Sequence, residues 1–234
     1  MNEPGPQAEF DEFAKDYDAA LAEGIGISGE NKEYFVRQRI AWLADWLNRI
    51  GFQPQSVMDF GCGTGSAVPD LLRLPGVSQV LGVDVSQELL GVARRRHETE
   101  RVRFTTVAEH AASSDIDLVF CNGVFHHIAP SDRPAALEHI RNSLRPGGWF
   151  ALWENNPWNP GTRYVMSRIK FDREAVMLRA AQTRRLLANA GFEIISTNYL
   201  FIFPRFLSWL RWIEPLVCRL PLGAQYQVLA RKPA

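Results

Sequence analysis

Two groups of residues carry the chemistry open to this sequence. The first is VMDFGCGTG, residues 57–65, where an apolar strand gives way to Gly61, Gly63 and Gly65. Glycine accepts positive φ and has no Cβ, so a ligand can lie against the backbone there. The turn then opens a helix whose unpaired N–H groups face that ligand. Asp59 stands two residues before the first glycine. Asp84 ends the next apolar run, VLGVD, 19 residues beyond Gly65, where a carboxylate can accept both hydroxyls of a ribose. The second group is the pair His126 and His127 after IDLVFCN, and Glu154 at the end of WFALWE. An imidazole with a pKa near its ordinary value of about 6.5 is a suitable base at neutral pH. Glu154 either orients a substrate hydroxyl or amine, or holds the loop 155–162.

The glycine spacing selects the nucleotide. A dinucleotide fingerprint reads G-x-G-x-x-G, whereas this turn reads G-x-G-x-G with Asp59 just before it. A carboxylate at that end repels a pyrophosphate and attracts an ammonium or sulfonium group. S-adenosylmethionine carries both cations and an adenosine.

Apolar strand patterns alternate with helical ones along most of the chain. Strands are read at SVMDFG, SQVLGVD, VRFTTV, IDLVFCN, WFALWE, EIISTNYLF and AQYQVLARK. Helices are read over 67–74, at SQELLGVARRR with Ser86 as its cap, at SDRPAALEHIRNSLRPGG closed by Pro146 and Gly147-Gly148, and over 172–190. Upstream, KEYFVRQRIAWLADWLNRIG repeats apolar residues at three and four, and FDEFAKDYDAAL does so more weakly; residues 1–9 read as disordered. The predicted fold is α/β: a Rossmann-like, doubly wound, mainly parallel seven-stranded sheet with helices on both faces. A helical cap over 1–50 precedes the core of 51–234, and a helical insertion near 203–222 precedes the last strand.

Composition narrows the functions. Hydrophobic residues make up 46%, which supports a sizeable core. Lys plus Arg and Asp plus Glu are 26 each, so no net basic charge favours duplex DNA. Cys62, Cys121 and Cys218 lack metal-ligand spacing and suit a reducing compartment. The N-terminus lacks a signal-peptide core, and the apolar stretch 199–220 is interrupted by charges and prolines, so a cytoplasmic protein is expected.

VMDFGCGTG, Asp84, CNGVFHHI and LRPGG together resemble the class I S-adenosylmethionine-dependent methyltransferases, in particular the small-molecule group of ubiquinone/menaquinone-biosynthesis type. The resemblance covers roughly residues 30–200. It implies that Asp59, Gly61, Cys62, Gly63 and Gly65 hold the methionine moiety and ribose. It implies that Asp84 binds the ribose, Val85 packs on adenine, and Ala108 and Glu109 line the adenine amine, where many relatives carry Gly-Asp. Asn122 and Gly123 touch the cofactor in this scheme. Arg39 pairs the methionine carboxylate, or is a solvated helix charge. Tyr17 closes over the methyl end, or packs in the core. His126 or His127 serves as the base, or the pair orders the following helix.

WENNPWNPGT, residues 153–162, contains two Asn-Pro steps. A nucleobase-binding Asn-Pro motif in this fold follows the fourth strand, a place held here by CNGVFHHI, so no nucleic-acid partner is expected. Pro157 and Pro160 hold Asn156 and Asn159 extended. A stiff loop is left, with Asn155 and Trp158 as candidate acceptor contacts beside Glu154. The insertion FPRFLSWLRWIEPLVCRLP fits an acceptor wall, a homodimer surface, an interfacial helix with peripheral membrane contact, or a helix packed on the sheet. The expected function is methyl transfer to a small apolar or aromatic acceptor at oxygen, nitrogen or carbon. The alternatives are methylation of a lipid-linked or glycan intermediate at a membrane surface, and a cofactor-binding inactive regulatory subunit.

Overall fold

The structure is a computed structural model describing residues 24–169 and 175–234. The expected helix over 10–21, Tyr17 within it, and the disorder expected over 1–9 lie outside the described residues.

The seven strands form one sheet in the order β3-β2-β1-β4-β5-β7-β6. They are β1 (Ser56–Phe60), β2 (Gln79–Asp84), β3 (Val102–Thr106), β4 (Ile116–Asn122), β5 (Leu144–Asn155), β6 (Glu193–Leu200) and β7 (Gln225–Arg231). All pairings are parallel except those of β7, which runs against β5 and β6. Strand side chains alternate between two cores, as the two-residue period requires. On β4, Leu118 and Phe120 enter one cluster while Val119 and Cys121 enter the other. On β5, Trp149, Ala151 and Trp153 face the first, and Phe150 and Leu152 the second.

Helices cover both faces. Helix α1 (Lys32–Arg49) starts at Asn31, whose side chain accepts from the Tyr34 N–H at 2.9 Å. It buries Val36, Ile40, Leu43 and Leu47 in the first core and stops before Gly51, whose φ is 65°. On the same face lie α2 (Val68–Leu71) and α3 (Gln87–His97), the latter capped by Ser86 accepting from Leu89 N–H. Glu88 in its first turn and Arg94, Arg95 and Arg96 in its last complement the helix dipole. The other face takes α4 (Arg133–Ser143) and α6 (Ala180–Asn189), which contribute Leu137, Ile140, Ala180 and Leu187. Helix α5 (Pro160–Arg168) follows the end of β5.

Four expected elements change. Within 67–74 only Val68–Leu71 is helical, and among the described residues 175–190 of the helix expected over 172–190 only Ala180–Asn189, with 175–179 irregular. The Arg-Pro-Gly-Gly segment does not close α4. The helix ends at Ser143 because Leu144 already pairs with Ile116, and Arg145–Gly148 forms a bulge inside β5 before Trp149 pairs with Leu118. The insertion is not one packed helix: Arg205–Ile213 is a 3-10 segment kinked at Leu207, followed by α7 (Glu214–Val217), and neither buries a residue. Pro204 and Pro215 remove backbone donors. Glu214 accepts from the N–H groups of Phe201 and Phe203, which ties the segment back on itself.

Because β7 runs antiparallel, its first residue lies at the carboxyl edge of the parallel strands. Asn155, Gln225 and Leu200 stand side by side there, ending β5, opening β7 and ending β6.

Candidate active site

A cavity of about 410 Å³ opens over this edge. On its lining, Asp59 is the penultimate residue of β1, just before the glycine turn. Gly61, Gly63 and Gly65 all have positive φ, at 74°, 53° and 76°. A Cβ on Gly61 would strike Val124 at 2.2 Å, whereas one on Gly63 would meet nothing within 4 Å. The turn is thus packed on its inner side and open toward the cavity. Asp84 fixes it from β2: one oxygen accepts from Gly63 N–H at 2.7 Å and the other from Ser86 N–H at 3.0 Å.

The electrostatics of the site are set by two buried groups of opposite sign. Asp59 is 3% exposed, and its pKa is raised to about 7 by burial, then by the Asp84 charge beside it, against the pull of Lys32. Arg39 is 6% exposed, which excludes a solvated helix charge; burial lowers its pKa to about 9. Its Nε donates to Gln225 Oε1 at 2.8 Å, and its guanidinium lies over the Phe35 and Phe201 rings. Among the described residues no carboxylate forms an ion pair with it. The cavity lining therefore carries a buried carboxylate reluctant to ionise and a buried cation lacking a described counter-ion. An ammonium and a carboxylate on one ligand would relieve both costs. Asn122 also lines the cavity, and its Oδ1 is buried with no described partner.

The histidines are resolved by their partners. His126 is 3% exposed, and its Nδ1 lies 2.6 Å from Glu154 Oε2. Glu154 is fully buried behind it, and its other oxygen accepts from Phe125 N–H. A carboxylate only accepts, so Nδ1 carries the proton and Nε2 becomes the acceptor nitrogen of the neutral ring. His127 lines the cavity too, its ring centroid 4.1 Å from that of His126.

The structure brings Arg39, Asp59, Gly61, Cys62, Gly63, Asn122, Gly123, His126, His127 and Asn155 to this cavity. Gly65, Asp84, Val85, Ala108 and Glu109 lie off its lining, along the adjoining edge of β2 and β3. Val85, Ala108 and Glu109 are exposed, and the Glu109 carboxylate is held by Thr106. Trp158 does not reach the cavity: it is 67% exposed, with the Arg179 guanidinium over its ring. The Asn-Pro loop turns Trp158 outward because its asparagines grip the return of the insertion. Asn156 donates to Pro221 and Gly223 carbonyls, and Asn159 caps α5 while donating to the Leu222 carbonyl.

Several lining residues escaped the sequence reading. Phe201 adopts φ 63°, unusual for a non-glycine residue, and this sets its ring over Arg39 and Phe35. Phe203, Val165, Met166 and Ile169 complete an apolar side. Gln225 bridges Arg39 and Asn155, donating to Asn155 Oδ1 at 3.0 Å. Its position was readable in principle from an antiparallel last strand.

Residues 58–150 match the family model described as a methyltransferase domain. The fold, the glycine turn and this match are similar to those of the class I S-adenosylmethionine-dependent methyltransferases. The sequence is similar to trans-aconitate 2-methyltransferases of Rhodopseudomonas palustris. It is 28% identical over 143 residues to that of strain BisB5, covering 59% of this chain and 54% of that protein. It is 26% identical over 198 residues to that of strain BisB18, covering 77% and 75%. The chain thus spans about half the length of the first of these relatives and three quarters of the second. The fold is shared with magnesium protoporphyrin IX methyltransferase from Synechocystis PCC 6803 with bound SAH, at a TM-score of 0.64, 19% identity and 97% coverage of each chain.

Proposed function

We propose that the protein methylates a hydroxyl on a small acceptor with an apolar or aromatic body, with His126 as general base. The buried His126–Glu154 pair at the cavity wall carries this reading. S-adenosylmethionine, when bound, supplies an electrophilic methyl on a good leaving group. The chain's own work is alignment and removal of one proton. Asp59 takes the ammonium, Arg39 the methionine carboxylate, and Asp84 the ribose hydroxyls, with Val85, Ala108 and Glu109 on the adenine flank. Asn122, Gly123 and Cys62 border the cofactor. His126 Nε2 takes the hydroxyl proton, and Glu154 stabilises the imidazolium that results.

The apolar side made by Phe201, Phe203, Val165 and Met166 suits a ring or hydrocarbon body, with the Asn155 amide at its polar end. A polyanion such as trans-aconitate fits this lining less well. A carboxylate acceptor is already ionised and needs no base, and Arg211, one of the cations lining the cavity, is paired with Glu30.

The test is turnover of a panel of phenols, aliphatic alcohols and carboxylates by wild type and His126→Gln. Hydroxyl acceptors should lead, and the variant should lose on the order of a hundredfold in kcat with cofactor affinity kept. Carboxylates leading the panel with kcat unchanged in His126→Gln would defeat the proposal.

A further inference from the structure

The insertion leaves a row of large apolar residues in solvent. Phe206, Trp209 and Trp212 recur every third residue, the period at which 3-10 side chains eclipse, and are 78%, 68% and 71% exposed. Leu216, Leu220 and Leu222 continue the exposure at 77%, 50% and 53%. Scattered apolar residues need no explanation, but a contiguous run of this size does.

The charges around the row say what covers it. Between 203 and 222 the only carboxylate is Glu214, and it faces inward onto the backbone of Phe201 and Phe203. Of the three arginines, Arg211 is turned in against Glu30 and the Phe203 carbonyl. Arg205 and Arg219 stay exposed, Arg205 while donating to the Gly29 carbonyl. The outer face that 203–222 presents is thus aromatic, aliphatic and cationic, with none of its own carboxylates turned outward. That is the chemistry of an anionic bilayer surface, where tryptophan rings sit at the headgroup level and arginines meet phosphates. Among the described residues no helix is long and apolar enough to cross a membrane, so the contact is peripheral.

The row also has a direction. Phe206 belongs both to it and to the lining of the catalytic cavity. We propose that Phe206, Trp209 and Trp212, with Arg205 and Arg219, dock the protein on an anionic lipid surface and set the cavity mouth against it. An acceptor dissolved in that surface then reaches the site without crossing water. This last step rests on the apolar-acceptor reading; the docking does not.

Docking is tested on the full chain, without acceptor or cofactor, by co-sedimentation with phosphatidylglycerol–phosphatidylcholine vesicles and with phosphatidylcholine alone. Binding should appear on the anionic vesicles. It should fall roughly tenfold or more in the double variant Trp209→Ala/Trp212→Ala and about fivefold in Arg219→Ala. Exposed side chains contribute little to folding, so melting temperatures should stay close to wild type. No binding to anionic vesicles, or equal binding by the double variant, overturns the proposal. So does a concentration-dependent dimer lost in the double variant, which would assign the row to a second copy of the chain. Loss of the His126 dependence would leave vesicle binding unchanged, so failure of the catalytic reading is distinguishable.

Discussion

The end of the cavity proposed for the cofactor and the end proposed for the acceptor are built in opposite ways. The first is local: Asp59, the glycine turn, Asp84 and Ser86 come from two adjacent strands and the turns that follow them, and the N–H groups of Gly63 and Ser86 donate to the Asp84 carboxylate at 2.7 and 3.0 Å. The acceptor end is assembled from distant pieces. Phe35 comes from α1, Met166 from α5, Phe201 and Phe203 from beyond β6, and Gln225 from the start of β7. A locally coded site keeps its shape when the surrounding walls change. A site made of packed walls changes with each insertion, so one fold can hold one cofactor and accept many substrates.

The sharpest way to break this contrast is Asp84→Ala. It removes a carboxylate that holds both the glycine turn and the expected ribose position, and hydrogen bonds to charged groups are worth about 1.5–3 kcal/mol each. Calorimetry should show cofactor affinity lower by on the order of a hundredfold, a larger loss than in His126→Ala. The reverse order would move the ribose site away from Asp84.

The next effect is set by pH. The Asp59 pKa in the folded protein, about 7, lies above its ordinary value of 3.8. The unfolded chain therefore gives up this proton first. Without cofactor, stability falls as pH rises from about 4 to about 7, and Asp59→Asn removes that slope. A bound ammonium needs the ionised form. Cofactor affinity should thus fall about tenfold for each pH unit below 7. Affinity that is flat with pH would mean that Asp59 does not meet the cation.

The same contrast explains what the sequence reveals. Seven strands are readable because each apolar run is bounded by glycines or helical spacing, and Asp59 and Asp84 are readable because both sit at strand ends. The acceptor wall is not. Phe201 resembles a strand residue until the backbone turns to φ 63°, and Phe35 fits the apolar pattern of α1 while its ring lies against Arg39. The Arg-Pro-Gly-Gly bulge carries turn chemistry suited equally to a helix stop, and only pairing of Leu144 with Ile116 decides. Trp158 has the residue type of a substrate contact, but the bonds of Asn156 and Asn159 to 221–223 determine its direction.

On the acceptor side alone, Phe203→Ala should raise the acceptor KM about tenfold, the cost of part of an aromatic side chain's burial. Cofactor affinity should stay within about twofold. If the cofactor term moved as far, the apolar side would belong to the cofactor and the boundary drawn here would be wrong.

Gln225 tests the boundary itself. Its Oε1 accepts from Arg39 on the cofactor side, and its Nε2 donates to Asn155 on the acceptor side. Gln225→Ala removes both bonds, and each is worth on the order of 1 kcal/mol. Cofactor affinity and acceptor KM should each worsen about fivefold, the smallest effect of the series and the one expected to fall on both. Gln225→Glu separates the two arms. The added charge strengthens the bond to Arg39 but competes with the methionine carboxylate for it, and it loses the donor to Asn155. It should weaken cofactor binding further than alanine does while leaving the acceptor term unchanged from alanine. If alanine moves one term alone, Gln225 belongs to that side, and the two halves of the cavity are mechanically independent.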